Sequence, residues 1–201
     1  MELKYDAAVL LQKLKLTPSQ HQLAFGAACC VRLLPNYSAF VKETGWGKLE
    51  PLTQALDLIW NHLGGRACSA EDLKTLTQLC EENIPESDDF TSDYVSFAQD
   101  ACFSICGLLD FLLDPDTCKI VEVGAYATDS VDLYVQEIEN MDSRAPDLER
   151  RILHHRLMQR ELAKQREDLE IIARTSDLDA AFLAQLKNSW GNNGRSNIDL
   201  I

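Results

Sequence analysis

Apolar residues recur at steps of three and four along most of the chain, and this spacing predicts α-helices. Residues that favour helix ends support the pattern. Thr17-Pro18-Ser19-Gln20, for example, joins a cap residue to a proline at the first helical position and a glutamine three residues after the cap. The predicted helices span residues 3–16, 17–34, 36–44 and 49–63, a stretch that begins at 69, and residues 93–114, 119–141, 147–174 and 179–190.

The stretch that follows Lys119 is rich in β-branched residues, which favour strands. Because helical spacing continues without a break from Ile120 to Met141, we predict a helix there. The fold class is therefore all-α, with residues 1–190 forming a single domain arranged as a helical bundle or an orthogonal helical array. Residues 191–201 are predicted to form a C-terminal tail that docks on this domain.

The composition is that of a globular protein, with 46% hydrophobic and 25% charged residues among 201. The longest charge-free window, residues 16–31, is shorter than the ~20 apolar residues that cross a bilayer. No export signal is recognisable at the N-terminus. The seven cysteines are odd in number and include no Cys-x-x-Cys pair, which suits a reducing compartment. We therefore expect a cytoplasmic protein without a membrane span.

Charge is unevenly distributed along the chain. The net charge is −13, yet residues 81–142, here called the acidic segment, hold 16 Asp and Glu against one basic residue, Lys119. Two explanations stay open: the basic helix predicted over 147–174 packs on this segment and neutralises it, or the segment binds a basic protein partner or a second copy of the chain. Nucleic acid is not an expected partner, because the acidic segment would repel phosphates.

The helix predicted over 147–174 carries a row of cations at steps of four, formed by Arg156, Arg160 and Lys164. Like charges at this spacing repel each other on a helix surface. We therefore predict that an acidic neighbour covers this candidate interaction row.

Motifs for chemistry are missing from the sequence. The four histidines form no zinc or di-iron pattern, and no nucleotide-binding glycine motif or nucleophile elbow occurs. We expect no cofactor, no metal and no catalytic residues. Aromatic and polar side chains that could line a small-molecule pocket are Asn36, Tyr37, Trp46, Asp57, Trp60 and Asp89.

Several short motifs are similar to those of the YjaG-like family of bacterial proteins, a domain of unknown function. They are Pro35-Asn36-Tyr37, Thr44-Gly45-Trp46-Gly47, Leu56-Asp57-Leu58-Ile59-Trp60, Ile84-Pro85, Asp88-Asp89-Phe90, Asp100-Ala101-Cys102 and Ser196-Asn197-Ile198. The resemblance implies a single-domain, all-helical, cytoplasmic bacterial protein. It implies no reaction and no catalytic residues.

Charge segregation without a catalytic constellation favours a non-enzymatic protein-interaction module or a homo-oligomer. The alternative is a small-molecule-binding protein or an enzyme with a pocket near residues 35–60. Both hypotheses stay open on the sequence, although the first is preferred.

Overall fold

The computed structural model of the chain describes residues 3–201, so the first two residues of the predicted domain lie outside it. These described residues form nine α-helices and no strand, which confirms the all-α prediction. The helices are α1 (Ala7–Lys15), α2 (Ser19–Thr44), α3 (Leu49–Leu63), α4 (Ala70–Glu81), α5 (Val95–Leu113), α6 (Thr117–Ile138), α7 (Leu148–His154), α8 (Arg156–Arg174) and α9 (Ala180–Asn188). A 3-10 turn, Ser87–Asp89, precedes α5.

The centre of the fold is formed by α2 and α5, which pack on each other and on α6. A Cβ atom added at Gly26 of α2 would lie 2.5 Å from the Leu108 side chain of α5 and 3.4 Å from Ile120 of α6. The missing side chain therefore lets three helices approach at one point. Around this centre, α3 and α4 pack on α5, α1 and α8 pack on α6, and α9 packs on α2.

Pro35 does not end a helix, contrary to the prediction of separate helices over 17–34 and 36–44. In the structure α2 continues through Pro35 and ends at Gly45, whose φ of 71° is left-handed. Proline removes one helical hydrogen bond, but Leu33 and Tyr37 on either side of it are fully buried. Burial of these side chains offsets the cost of the missing bond.

The long helix predicted over 147–174 is two helices. His155 interrupts it with an extended backbone (ψ 140°), and its side-chain Nδ1 accepts a hydrogen bond from the Leu157 backbone N–H at 3.3 Å. His155 thereby caps α8. The first helix also begins later than predicted, at Ala7, where Asp6 accepts a bond from the Val9 N–H at 3.0 Å.

Two helices of the described chain, α2 and α5, have the length and hydropathy of helices that can cross a membrane. In the most apolar window of each, 72% and 50% of the residues are buried inside the protein. Burial of this kind is what the two central helices of a core require.

The last residues of the chain lie against α2 and α6. Ser196, Asn197 and Ile198 are buried. The Asn197 N–H donates a hydrogen bond to the Arg32 carbonyl of α2 at 3.0 Å, and its side chain donates to the Ala127 carbonyl of α6 at 2.8 Å. The C-terminal residues thus connect two helices of the core.

Candidate functional site

Four charged side chains meet in the interior between α2 and α8, and we call them the buried charge cluster: Arg32, Glu161, Lys164 and Asp168. The Arg32 Nε lies 2.9 Å from the Glu161 Oε2, and its Nη1 lies 3.2 Å from the Asp168 Oδ2. The Lys164 Nζ lies 2.5 Å from the other Asp168 oxygen. Two cations thus face two carboxylates, and the formal charges of the cluster sum to zero.

The helical repeat explains why α8 supplies three of these groups. Glu161, Lys164 and Asp168 follow one another at steps of three and four, so they share the face that packs on α2. Gln165 lies on the same face, and its side-chain N–H₂ donates to the Glu161 carboxylate at 2.9 Å and to the Gly124 carbonyl at 3.0 Å. Arg32 also donates to the Ala28 carbonyl at 2.8 Å. Each member of the cluster therefore has hydrogen-bond partners, as burial demands.

Burial and the neighbouring charges act in opposite directions within the cluster. Burial raises the pKa of Asp168, while Arg32 and Lys164 oppose that rise. Burial by itself would lower the pKa of Arg32, but the carboxylates of Glu161 and Asp168 keep it above its ordinary value, so the guanidinium stays charged. Burial raises the pKa of Cys29 to about 12, and this thiol is therefore protonated and unreactive at neutral pH.

Trp190, just after α9, covers the cluster. Its ring is in contact with two guanidinium groups, with the Arg32 Cζ 5.7 Å and the Arg160 Cζ 5.1 Å from the ring centre. Beside Trp190, an open groove of about 320 Å³ includes Arg160 and Lys164 in its lining. The buried charge cluster is thus shielded from solvent by the C-terminal part of the chain and has a shallow groove next to it.

The predicted basic row has its acidic neighbours in the C-terminal segment and within α8. Asp199 lies 3.9 Å from Arg156 and 2.8 Å from Arg160. Lys164 is turned inward to Asp168 and also lies 3.5 Å from Glu167. The row is therefore covered from within the chain, and none of its three cations forms an ion pair with the acidic segment in the described structure.

The residues proposed as a pocket lie in several places. Asn36 is fully buried and donates to the Asn197 side chain at 3.2 Å. Tyr37 is also fully buried, and its hydroxyl donates to Asn83 at 3.5 Å. Trp46 belongs to an aromatic cluster instead, with its ring centre 5.2 Å from that of Phe90.

Asp57 and Trp60 share one neighbour, Lys187 of α9. The Lys187 Nζ lies 3.0 Å from the Asp57 carboxylate and 6.0 Å from the Trp60 ring centre. Asp89 is exposed in the 3-10 turn before α5. The structure therefore brings Asp57 and Trp60 together on α3, but it does not gather the six predicted residues around one cavity.

The acidic segment keeps most of its charge exposed to solvent. In the described part of the chain, ion pairs reach it from Lys119, 3.7 Å from Asp114, and from His155, 3.8 Å from Glu139. No arginine of residues 3–201 pairs with it. Partial burial, and then a neighbouring carboxylate, raises the pKa of Asp129 and of Glu137. The packing of α8 on α6 thus leaves the acidic segment without neutralising arginines.

A groove of about 290 Å³ lies in this segment, where α5, α6 and the end of α4 meet. We call it the acidic groove. Glu81, Asp110 and Glu122 line it, together with the aromatic pair of Phe103 and Tyr126, whose ring centres are 5.8 Å apart. One cation, Lys119, also belongs to the lining, and its Nζ donates to the backbone carbonyls of Asp110 at 3.2 Å and Asp114 at 3.0 Å. The three carboxylates therefore outnumber the cations of the groove. Carboxylates beside aromatic rings are the surroundings that a lysine or arginine side chain prefers.

The sequence contained one signal for the buried charge cluster that the predictions did not use. Arg32 follows directly on the longest charge-free window, and it is the one arginine or lysine among the buried residues of α2. A lone arginine in such a stretch needs a buried anion. Glu161 and Asp168, seven residues apart on α8, were the missing partners.

Residues 3–201 contain no group of three or more His, Cys, Asp or Glu side chains that could hold a metal ion.

Known proteins resemble this chain over half of its length or more. The model of the family described as "Protein of unknown function (DUF416)" matches residues 9–200. The uncharacterized protein YjaG of Escherichia coli (strain K12) is 28% identical over 190 residues, which cover 94% of each chain. YjaG of Salmonella typhimurium (strain LT2) is 32% identical over 107 residues, or 53% of this chain and 54% of the relative.

A solved structure has the same fold. The crystal structure of a DUF416 family protein from Shewanella baltica OS155 superposes with a TM-score of 0.87 and 27% sequence identity, and the match covers 98% of this chain and 99% of that one. The predicted resemblance to the YjaG-like family is therefore confirmed. Because the family model spans most of the sequence, the chain belongs to the DUF416 family of bacterial proteins.

Proposed function

We propose that the protein is a non-enzymatic interaction module that binds a basic segment of a partner protein at its acidic groove. The observation that carries this proposal is the exposed acidic segment, which α8 leaves without neutralising arginines although it packs on α6. Uncompensated charge of one sign on a surface attracts partners of the opposite sign and raises their rate of association.

The acidic groove places carboxylates and aromatic rings close together at one point of the acidic segment. Glu81, Asp110 and Glu122 come from three different helices, and each is exposed and has no cation as an ion-pair partner in the described chain. Phe103 is 38% exposed and stands beside Tyr126, so a basic side chain could lie against a ring while its charge meets a carboxylate. This arrangement supports an arginine- or lysine-containing peptide as the bound element.

The location that we propose is the bacterial cytoplasm. All seven cysteines are free in the structure, which agrees with a reducing compartment. The pocket alternative near residues 35–60 has less support, because Asn36 and Tyr37 are buried against different partners and Asp57 lies on the surface beside Lys187.

Fluorescence anisotropy with a labelled nonapeptide of alternating arginine and alanine tests the proposal. We expect the peptide to bind, with an affinity that falls as salt is raised from 50 to 300 mM. The triple variant Glu81→Gln, Asp110→Asn, Glu122→Gln should bind at least about tenfold more weakly, a loss of roughly 1.4 kcal/mol.

The matched control is the triple variant Glu71→Gln, Glu149→Gln, Asp177→Asn. It removes the same charge from exposed positions outside the acidic segment, and we expect its affinity to stay within about twofold of the parent. Equal weakening by both variants would show that only net charge matters. That result, or absence of peptide binding at low salt, would contradict the proposed function.

A further inference from the structure

A second groove, of about 380 Å³, lies between α1 and α8 and is unrelated to the acidic groove. Both helices pack on α6, and they flank the groove above it. At Gly124 of α6 an added Cβ would lie 3.0 Å from Leu10 of α1 and 3.4 Å from Gln165 of α8. The apolar side chains that line this α1–α8 groove are Leu3, Val9, Leu10, Leu162 and Leu169.

One end of the α1–α8 groove is bridged by the chain before α1. The Leu3 carbonyl accepts a hydrogen bond from the Gln159 side chain of α8 at 3.0 Å, and the Tyr5 hydroxyl donates to the Val121 carbonyl of α6 at 2.9 Å. The segment thus runs from α8 to the start of α1. A bound molecule that is a single flexible hydrocarbon chain, and that ends at this bridge, fits the groove better than a bound helix does. A helix is about 10 Å wide and needs a groove that is open at both ends.

The rim of this groove is positive, although the protein as a whole carries −13. Lys4, Lys13 and Arg166 line it together with one acid, Asp6. Lys4 and Lys13 are exposed and have no ion-pair partner among residues 3–201, and Arg166 has only a 3.8 Å contact with Glu170. An apolar floor with exposed cations at its edge is complementary to an anion that carries an aliphatic tail.

We propose that the α1–α8 groove binds a free aliphatic carboxylate of medium chain length. The tail lies on the leucines of α1 and α8, and the carboxylate meets Lys13 or Arg166 at the rim. The volume, near the lower end of the range of ligand cavities, agrees with one such chain. This site shares no residue with the acidic groove, so it does not depend on the proposed function.

Isothermal titration calorimetry with sodium hexanoate, octanoate and decanoate, each below its micelle-forming concentration, tests this site. Each added methylene should tighten binding about fourfold until the tail fills the groove. Decylammonium has the same tail with the opposite charge, and we expect it to bind at least about tenfold more weakly than decanoate.

Variants locate the binding. Lys13→Glu combined with Arg166→Glu should weaken decanoate binding at least about tenfold, and Val9→Trp should obstruct the groove from its exposed rim. Lys74→Glu with Lys42→Glu is the matched control, since both lysines are exposed and distant from this lining. An unchanged melting temperature shows that each variant is folded.

Four results would overturn the proposal. They are no heat with decanoate, equal affinity for decylammonium, equal effects of the test and control variants, and binding to phosphatidylglycerol vesicles without binding to decanoate. The last result would assign the groove to an anionic membrane surface instead.

Discussion

In the buried charge cluster, two cations and two carboxylates are paired inside the protein. The carboxylates of the acidic segment are mostly exposed instead, and within the described chain ion pairs reach only Asp114 and Glu139 among them. The difference follows from solvation. A charge without a partner costs several kcal/mol in the interior and very little in water. The fold therefore requires that the charge of Arg32 be paired, whereas it makes no such demand on the exposed carboxylates of Glu81 and Glu122.

The largest change in the free energy of unfolding is expected when a cation is removed from the buried charge cluster. Arg32→Met leaves Glu161 and Asp168 buried with only Lys164 as a cation, and we expect the free energy of unfolding to fall by about 3–5 kcal/mol. Urea denaturation measures it. Arg150→Ala removes an arginine that is 71% exposed and paired with Asp147, and should cost less than about 0.5 kcal/mol.

A quadruple variant shows whether pairing or packing matters at this cluster. Replacing Arg32, Lys164, Glu161 and Asp168 together by Met, Met, Leu and Leu removes every buried charge at once. We expect it to be more stable than Arg32→Met alone, because no charge is left without a partner. If Arg32→Met cost less than about 1 kcal/mol, solvent would have to reach the cluster, and the comparison would lose its basis.

Asp100 lies between the two cases, because it belongs to the acidic segment but is largely buried without a cation. Its carboxylate accepts a hydrogen bond from Ser130 at 2.6 Å, yet burial raises its pKa from 3.8 to about 7. The folded state therefore binds a proton that the unfolded state has lost between these pH values. The contribution of Asp100 to the free energy of unfolding is therefore complete below about pH 4 and is lost as the pH rises to about 7.

We expect Asp100→Asn to remove this loss. Between pH 4 and 7 the free energy of unfolding of the variant should therefore rise relative to that of the parent, by at most roughly 4 kcal/mol. Urea denaturation at several pH values measures the difference. The exposed Asp110→Asn serves as the control and should show no such gain. Parallel pH profiles for the parent and Asp100→Asn would mean that Asp100 is solvated in the folded protein.

The smallest change in the free energy of unfolding is expected for substitutions in the exposed acidic groove. The triple variant Glu81→Gln, Asp110→Asn, Glu122→Gln should unfold with the same free energy as the parent or be more stable by up to about 1 kcal/mol, because like charges then repel less. Part of the gain comes from Glu81, an acid at the C-terminal end of α4, where the helix dipole disfavours negative charge. The gain should shrink in 0.5 M salt. A destabilised variant would mean that these carboxylates support the fold.

Much of the fold was predictable, because helix formation depends on residues close in sequence. Helical spacing through Ile120 correctly outweighed the strand propensity of its neighbours, and α6 is continuous there. The spacing gave no account of Pro35, where buried neighbours keep α2 intact, or of His155, whose side chain caps a new helix. At both places, contacts rather than propensity determine the backbone.

The candidate sites were less predictable. The acidic segment was visible as a run of charge, but its lack of arginine partners depends on how α8 is turned. Asn36 was chosen for a pocket because it lies near aromatic residues in sequence, and it bonds to Asn197 from the other end of the chain. Side chains that share a short motif on a helix point in different directions, so proximity in sequence does not make them line one cavity.

The sequence by itself determined the helical class and the excess of negative charge, since periodicity and composition are local or additive properties. Only the tertiary structure decided which charges are paired. Arg32 and Glu161 are 129 positions apart, and nothing near either residue identifies its partner. Their pairing results from the packing of α2 on α8, and with this packing the α8 arginines of the described chain form ion pairs with Asp199 and Glu170 and none with the acidic segment.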